Sequence, residues 1–202
     1  MKILFLLTTL FIFYTYLGYP ILLFFWSKVR YRVIDKKYPR QLPLISFVIA
    51  AKNEADTIER RIVNILNLDY PKEKYEIIIV SDGSTDDTNQ IVERYSAKFN
   101  RTRLLAHFPS KGKPYSLNKG VHQARGEIII FTDSRQWFDK KAAMELVANF
   151  SDPGIGCVSG ELVFNSAGAS SIQKEMGLYW DYEKIIRKLE SKIGSVAGAT
   201  GA

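Results

Sequence analysis

The sequence predicts a Rossmann-like α/β domain with a doubly wound, mostly parallel sheet, preceded by one transmembrane helix. Three observations carry this. From Ile3 to Trp26 there are 24 residues without a charge, enough at about 1.5 Å per residue to cross a bilayer core. Two β-branched runs, Ile77–Val80 and Ile128–Phe131, show no polar alternation, the pattern of parallel strands covered on both faces. Between and around them, strand-like and helix-like stretches take turns, as right-handed βαβ crossovers require.

The N-terminal segment, residues 1–27, reads as a membrane anchor rather than a cleaved leader. A leader has a shorter apolar region and a small-x-small cleavage site, whereas Trp26 is followed by Ser27-Lys28-Val29-Arg30. Residues 28–43 form a basic juxtamembrane linker: Lys28, Arg30, Arg32, Lys36, Lys37 and Arg40 stand against Asp35 alone. Only Lys2 precedes the span, so the positive-inside rule places the following domain in the cytoplasm, at the inner or plasma membrane. The basic cluster suits a lipid bilayer surface. Of the net +7, five charges lie in this cluster and one at Lys2, which leaves +1 for residues 41–202. That excludes a nucleic-acid footprint. Cys157 is the only cysteine, so no disulfide forms within the chain and no cysteine metal site exists.

Pro39 and Pro43 mark the start of the domain at residue 44. Strands are expected over 44–50, 75–80, 103–107 and 127–131, with an extended segment over 155–164. Helices are expected over 56–67, 114–124, 139–150 and 171–193. The first carries Ile58, Ile62, Ile65 and Leu66 on one face. A further helix should follow Ser84 as its N-cap, with Asp87 at the capping-box position.

Ligands of open α/β sheets lie at the carboxyl ends of the strands. There the chain places Ala50-Ala51-Lys52-Asn53-Glu54, then Ser81-Asp82-Gly83-Ser84-Thr85-Asp86-Asp87, and Thr132-Asp133-Ser134-Arg135. Small residues such as Ala51 let a flat base approach the main chain, and Asn53, Glu54 and Asp82 supply groups that read donors and acceptors. Ordinary helix capping accounts for the same residues. Lys111-Gly112-Lys113 opens a helix, a suitable place for a diphosphate. Asp133 can bind a hydroxyl, or a cation that bridges phosphates. No G-x-G-x-x-G, P-loop or G-x-S-x-G elbow occurs, which leaves dinucleotide, P-loop and serine-hydrolase readings without support. His107 and His122 are read as structural.

Taken in order, Ser46–Glu54, Ile79–Asp86, Gly112–Gly120 and Ala124–Asp133 resemble the successive motifs of family-2 glycosyltransferases, which have the glycosyltransferase-A fold. The resemblance covers about residues 44–202, and the anchor is similar to that of members that build cellulose-, chitin- or hyaluronan-like polymers and exopolysaccharides. It implies inverting transfer from a nucleotide-sugar, commonly a UDP-sugar, to a saccharide or lipid-linked acceptor. Asn53, Glu54 and Asp82 would hold base and ribose, Lys113 would face the diphosphate, and Asp133 would contact ribose or a Mg2+ or Mn2+ ion. Gly160, Glu161, Thr200 and Gly201 would line the sugar and acceptor pocket.

Two departures bear on the chemistry. Arg135 stands where the family's D-x-D motif has its second acid, and a permanently charged, bidentate guanidinium can neutralise a diphosphate directly. The family's general base lies downstream of the segment resembling Gly198–Ala202, so the chain is expected to be an N-terminal part of a longer enzyme. Glu161 and Asp181 do not sit where the family places its base. The rival readings are a membrane-tethered nucleotide-sugar-binding protein without transfer, and a nucleotidyltransferase, for which Ala51-Lys52-Asn53-Glu54 is a poor glycine-rich loop.

Overall fold

In the computed structural model, a four-stranded sheet has β1 (Ile45–Ala51) and β2 (Tyr75–Asp82) at its centre. The first β-branched run lies in β2 as expected. The second, residues 128–131, instead forms an edge strand that is only partly buried, because it pairs with β1 alone among the described residues. Every residue of β2 is buried, as is all of β1 except the half-buried Ala50. The outer strands are β3 (Thr102–His107) and β4 (Ile128–Phe131). All pairings are parallel and the spatial order is β3-β2-β1-β4. The structure describes residues 1–161, 163, 171–196 and 198, with residues 171–178 described by their backbone. The chain divides into two units, residues 35–160 with 200–202, and residues 1–34 with 161–199.

In the sheet unit, helices α3 (Ala55–Leu66), α4 (Thr88–Lys98), α5 (Lys113–Gln123) and α6 (Ala142–Ala148) connect or follow the strands. Because side chains alternate across a strand, Phe47, Ile49, Ile77 and Ile79 share one face. They pack against Ile58, Ile62 and Ile65 of α3, Ile91 and Val92 of α4, and Ala143 and Val147 of α6. Each fully buried isoleucine contributes about 1.5–3 kcal/mol, so this layer dominates the stability of the unit. The opposite face takes α5. A Cβ on Gly120 would stand 2.4 Å from Cγ1 of Val48, so glycine is what lets this helix lie against the strands.

Three boundaries differ from expectation. α4 begins at Thr88, not after Ser84. Ser84 Oγ is instead engaged by the Ser81 hydroxyl and the Asn53 N–H, and Asp86 takes the Thr88 N–H at 3.1 Å. α6 is shorter than residues 139–150 because Asp139 accepts from the Lys141 N–H and holds a turn ahead of it. Residues 155–161 carry no strand pairing, and Phe164 lies outside the described residues. The stretch 35–38 is anchored: the Lys36 ammonium and the Tyr38 hydroxyl both reach the Glu145 carboxylate, at 2.5 and 2.7 Å.

In the other unit, α1 (Lys2–Phe13) and α2 (Tyr19–Val29) run on through residues 2–29 as the one helix, among the described residues, long and apolar enough to cross a membrane. Its middle widens into a π turn over Tyr14–Gly18, just before Pro20. Proline has no N–H to donate, which frees the carbonyl of Tyr16 four residues earlier. The Tyr182 hydroxyl of α7 (Ser171–Ile193) donates to that carbonyl at 2.8 Å, and the Tyr19 hydroxyl donates to Glu190 at 2.6 Å.

Candidate functional site at the sheet's switch point

After β1 the chain steps to β2 and β3 on one side, then returns through α5 to place β4 on the other side of β1. The strand order therefore reverses between β1 and β4, and a crevice opens at their carboxyl ends. The loops that leave β1, β2 and β4 there carry Asn53 and Glu54, Gly83–Asp86, and Asp133–Gln136. α5 enters the same edge with Lys113 in its first turn.

The first two loops are stitched together. Asn53 has φ of 54°, a left-handed conformation that asparagine tolerates better than most residues. Its side-chain oxygen accepts from the Thr85 N–H at 2.8 Å. The opening N–H groups of α3 are capped from the neighbouring loop: Glu54 N–H donates to the Thr88 hydroxyl at 2.8 Å and Ala55 N–H to Asp86 at 3.0 Å. Asp86 thus serves two helix starts.

Asp82 ends β2 almost fully buried. It accepts from the Ser110 hydroxyl at 2.8 Å and from the N–H groups of Lys111 and Gly112 at 2.7 and 2.9 Å. His107 Nε2 lies 2.8 Å from the same carboxylate. Burial pushes this acid up, but the Lys111 N–H, the Ser110 hydroxyl, the Gly112 N–H and His107 outweigh it and hold the pKa at about 2. Its hydrogen-bonding capacity goes to the turn that leads into α5. Gly83, at φ of 67°, lets that turn close, since a Cβ there would stand 2.8 Å from the Ser110 nitrogen.

Across the crevice the charges pair. The Lys113 ammonium lies 2.5 Å from Asp133 Oδ1. Arg135 engages Glu54 through two nitrogens, at 3.1 and 3.2 Å, which spans the gap between the β1 and β4 loops. Glu54 also accepts from Thr57 at 2.7 Å. Its burial raises its pKa, and Thr57, Arg135 and Ser134 more than offset that, so it stays below the usual carboxylate range. Arg135 is three-quarters exposed.

Sequence reasoning missed Arg61 and Asn64. Arg61 is 1% exposed. It donates to Asn64 Oδ1 at 2.6 Å, to the Gln136 carbonyl at 3.0 Å and to the Thr132 hydroxyl. Its guanidinium lies 4.0 Å from the Phe138 ring centre. Burial pulls its pKa down to about 10, against the attraction of Asp133. Asn64 exchanges two hydrogen bonds of 2.9 Å with the Phe138 backbone. The pair fixes the loop that carries Asp133 and Arg135. The signal was present: Arg61 lies three residues after Ile58 and beside Ile62, on the apolar face of its helix.

The expected residues Asn53, Glu54, Lys113, Asp133 and Arg135 thus meet at one edge, with Asp82 beneath them. Ala51 is 2% exposed and packs in the apolar core. Gly160 is exposed. Glu161 belongs to the other unit, 3.4 Å from each of Lys184 and Lys188. Thr200 and Gly201 lie outside the described residues.

A sequence profile described as "Glycosyl transferase family 2" matches residues 46–201. The chain belongs to that family. Family-2 relatives include the poly-beta-1,6-N-acetyl-D-glucosamine synthase of Staphylococcus aureus, 35% identical over 141 residues, which cover 68% of this chain and 33% of the relative. Glycosyltransferase AglE of Haloferax volcanii is 30% identical over 128 residues, 61% of this chain and 40% of that protein. The chain thus spans between a third and two fifths of the length of these relatives. Among solved structures, the mannosyltransferase PcManGT from Pyrobaculum calidifontis, in complex with GDP-Man and Mn2+, superposes with a TM-score of 0.69 at 27% identity, over 89% of this chain and 49% of that one. The fold is that of the glycosyltransferase-A class.

A divalent cation fits this chain's donor set poorly as a two-acid clamp. Among the described residues no group of three metal-ligating side chains exists. Asp133 is held on Lys113, and a guanidinium stands at position 135.

Proposed function

We propose that the switch-point crevice binds a nucleoside-diphosphate sugar, a UDP-sugar in the first instance, for inverting transfer to a saccharide or lipid-linked acceptor in polysaccharide synthesis. The observation that supports this reading is the meeting of two cation–acid pairs, Lys113 with Asp133 and Arg135 with Glu54, at the carboxyl ends of β1 and β4. Each cation is carried by an exposed side chain, able to exchange its carboxylate for a phosphate oxygen. Asn53 and Glu54 border the base and ribose. Asp82 shapes the Lys111–Lys113 turn rather than touching the nucleotide.

In the transfer the acceptor oxygen bonds to the anomeric carbon as the carbon–phosphate oxygen bond breaks. The electron pair leaves with the diphosphate, whose charge Lys113 and Arg135 stabilise. The hydroxyl proton must go to a base. Asp82 is held by four hydrogen-bond partners and is a poor candidate for it, whereas Asp133 and Glu54 are released when their cations turn to the diphosphate. The relatives named as a poly-N-acetylglucosamine synthase and a mannosyltransferase support a hexosyl donor. The basic flank of the apolar helix supports a cytoplasmic sheet unit.

Titration of the full chain in detergent with uridine diphosphate tests the reading. Lys113→Ala and Arg135→Ala are each expected to weaken binding about tenfold, the scale of one charge-assisted contact. No binding, or binding that neither variant weakens, overturns the site. The same titration with and without Mn2+ tests direct charge neutralisation, which strict metal dependence would overturn. Donor binding without turnover is the second reading, favoured by the full engagement of Asp82 by its hydrogen-bond partners, and a sugar-release assay separates the two.

A further inference from the structure

At the opposite end of the sheet a second cavity, of about 290 Å³, opens between the C-terminal ends of α3 and α4 and the first residue of β2. Its walls include the rings of Tyr75, Tyr95 and Phe99, and its rim carries Lys72, Lys98 and Arg101. Among the described residues no carboxylate lines it, although Glu59 accepts from the Tyr95 hydroxyl at 3.1 Å on its outer side. The volume is near the lower end of small-molecule sites, about 300 Å³ upward. Tyr75 and Asp82 are the two ends of an eight-residue strand, so at about 3.3 Å per residue the cavity lies roughly 23 Å from the carboxyl edge. It is separate from the donor crevice.

Two features suit this cavity to a ligand. Tyr75 is 3% exposed, and the Arg101 guanidinium beside its hydroxyl opposes the rise in pKa that burial causes. The cations are also held close to aromatic faces. The Arg101 guanidinium lies 5.3 Å from the Tyr75 ring centre and is steadied by donating to the Lys72 carbonyl at 2.7 Å. Lys98 Nζ lies 5.4 Å from the Phe99 ring centre, and that ring stacks on Tyr95 with an interplanar angle of 21°.

We propose that this cavity is a second binding site, for a small anion that carries a flat ring, such as an aryl or nucleoside phosphate. The ring lies against the Tyr95 and Phe99 walls, where aromatic pairs gain beyond their buried area. The anionic group meets Lys98 and Arg101 at the rim. A neutral saccharide fits less well, because three cations with no carboxylate offer few of the acceptors that sugar hydroxyls require.

Phenyl phosphate is the probe, titrated calorimetrically into the full chain in detergent, with inorganic phosphate and benzyl alcohol as comparison ligands. Phenyl phosphate is expected to bind at least tenfold more tightly than either. Lys98→Glu and Phe99→Ala should each weaken it at least tenfold, while Lys113→Ala, in the donor crevice, leaves it unchanged. Lys98 is exposed at the helix end, so its charge reversal preserves the fold, as the far-UV dichroism and melting temperature will verify. Absence of binding, equal binding of inorganic phosphate, or loss only in the Lys113 variant each overturns the proposal. Because the donor crevice is probed by its own variant, failure here and failure of the donor assignment are read separately.

Discussion

Asp82 shows how one buried carboxylate organises a loop. Its pKa of about 2, against an ordinary value near 4, means the folded state favours the charged form. For a depressed carboxylate the stabilisation is present above the unfolded value and is lost as pH falls through the folded one. It therefore disappears between about pH 4 and pH 2, and amounts to roughly 2 kcal/mol at neutral pH. Asp82→Asn is expected to lower unfolding stability by about that much at pH 7 in urea titrations, with the gap closing as pH falls towards 2. A gap that stays constant with pH would refute the ionic role. The sequence pointed to this aspartate by its place at a strand tip. It did not show the direction of its hydrogen bonds, because the partners Ser110, Lys111 and Gly112 come from a loop 28 to 30 residues later.

Among the elements, α3 does more than cover the sheet. Its start is capped from the β2 loop, its middle fixes the β4 loop through Arg61 and Asn64, and its end forms a wall of the rear cavity. Arg61→Ala removes a buried, multiply bonded cation and leaves the Gln136 carbonyl and Thr132 hydroxyl without it. The expected cost is about 2–4 kcal/mol, with uridine diphosphate affinity falling alongside. Arg61→Met, which keeps most of the volume, should recover part of the stability but not the affinity. Recovery of both would show that Arg61 only fills space. The strands and most helices were legible in the sequence because apolar periodicity reports burial directly. Ser84 was misread as a cap because the competing partner, the Asn53 N–H, sits 31 residues earlier. The shortening of α6 was hidden for a similar reason, in the local turn chemistry of Asp139. Arg61 escaped notice because a charge on an apolar helix face looks like an exposed edge until its partners are placed.

For the whole molecule, the apolar helix and the sheet unit make separate predictions. If residues 2–29 span a bilayer, the chain will stay with membranes in alkaline carbonate, and replacing Leu10, Phe11 and Phe13 with lysine will release it. Protease added outside intact cells should leave the sheet unit uncut if that unit is cytoplasmic, and cleavage there would reverse the orientation. The paired charges of the crevice also bear on how fast a donor arrives. Lys113, Asp133, Arg135 and Glu54 sum to zero, and each opposite charge lies within about 3 Å of its partner. Such an arrangement projects almost no field beyond a Debye length, so an approaching polyanion is not steered from a distance. Capture by chance collision, followed by exchange of partners at contact, gives an association rate nearly independent of ionic strength. Stopped-flow mixing with a fluorescent uridine diphosphate analogue is expected to show less than about a twofold change in that rate between 10 and 150 mM salt.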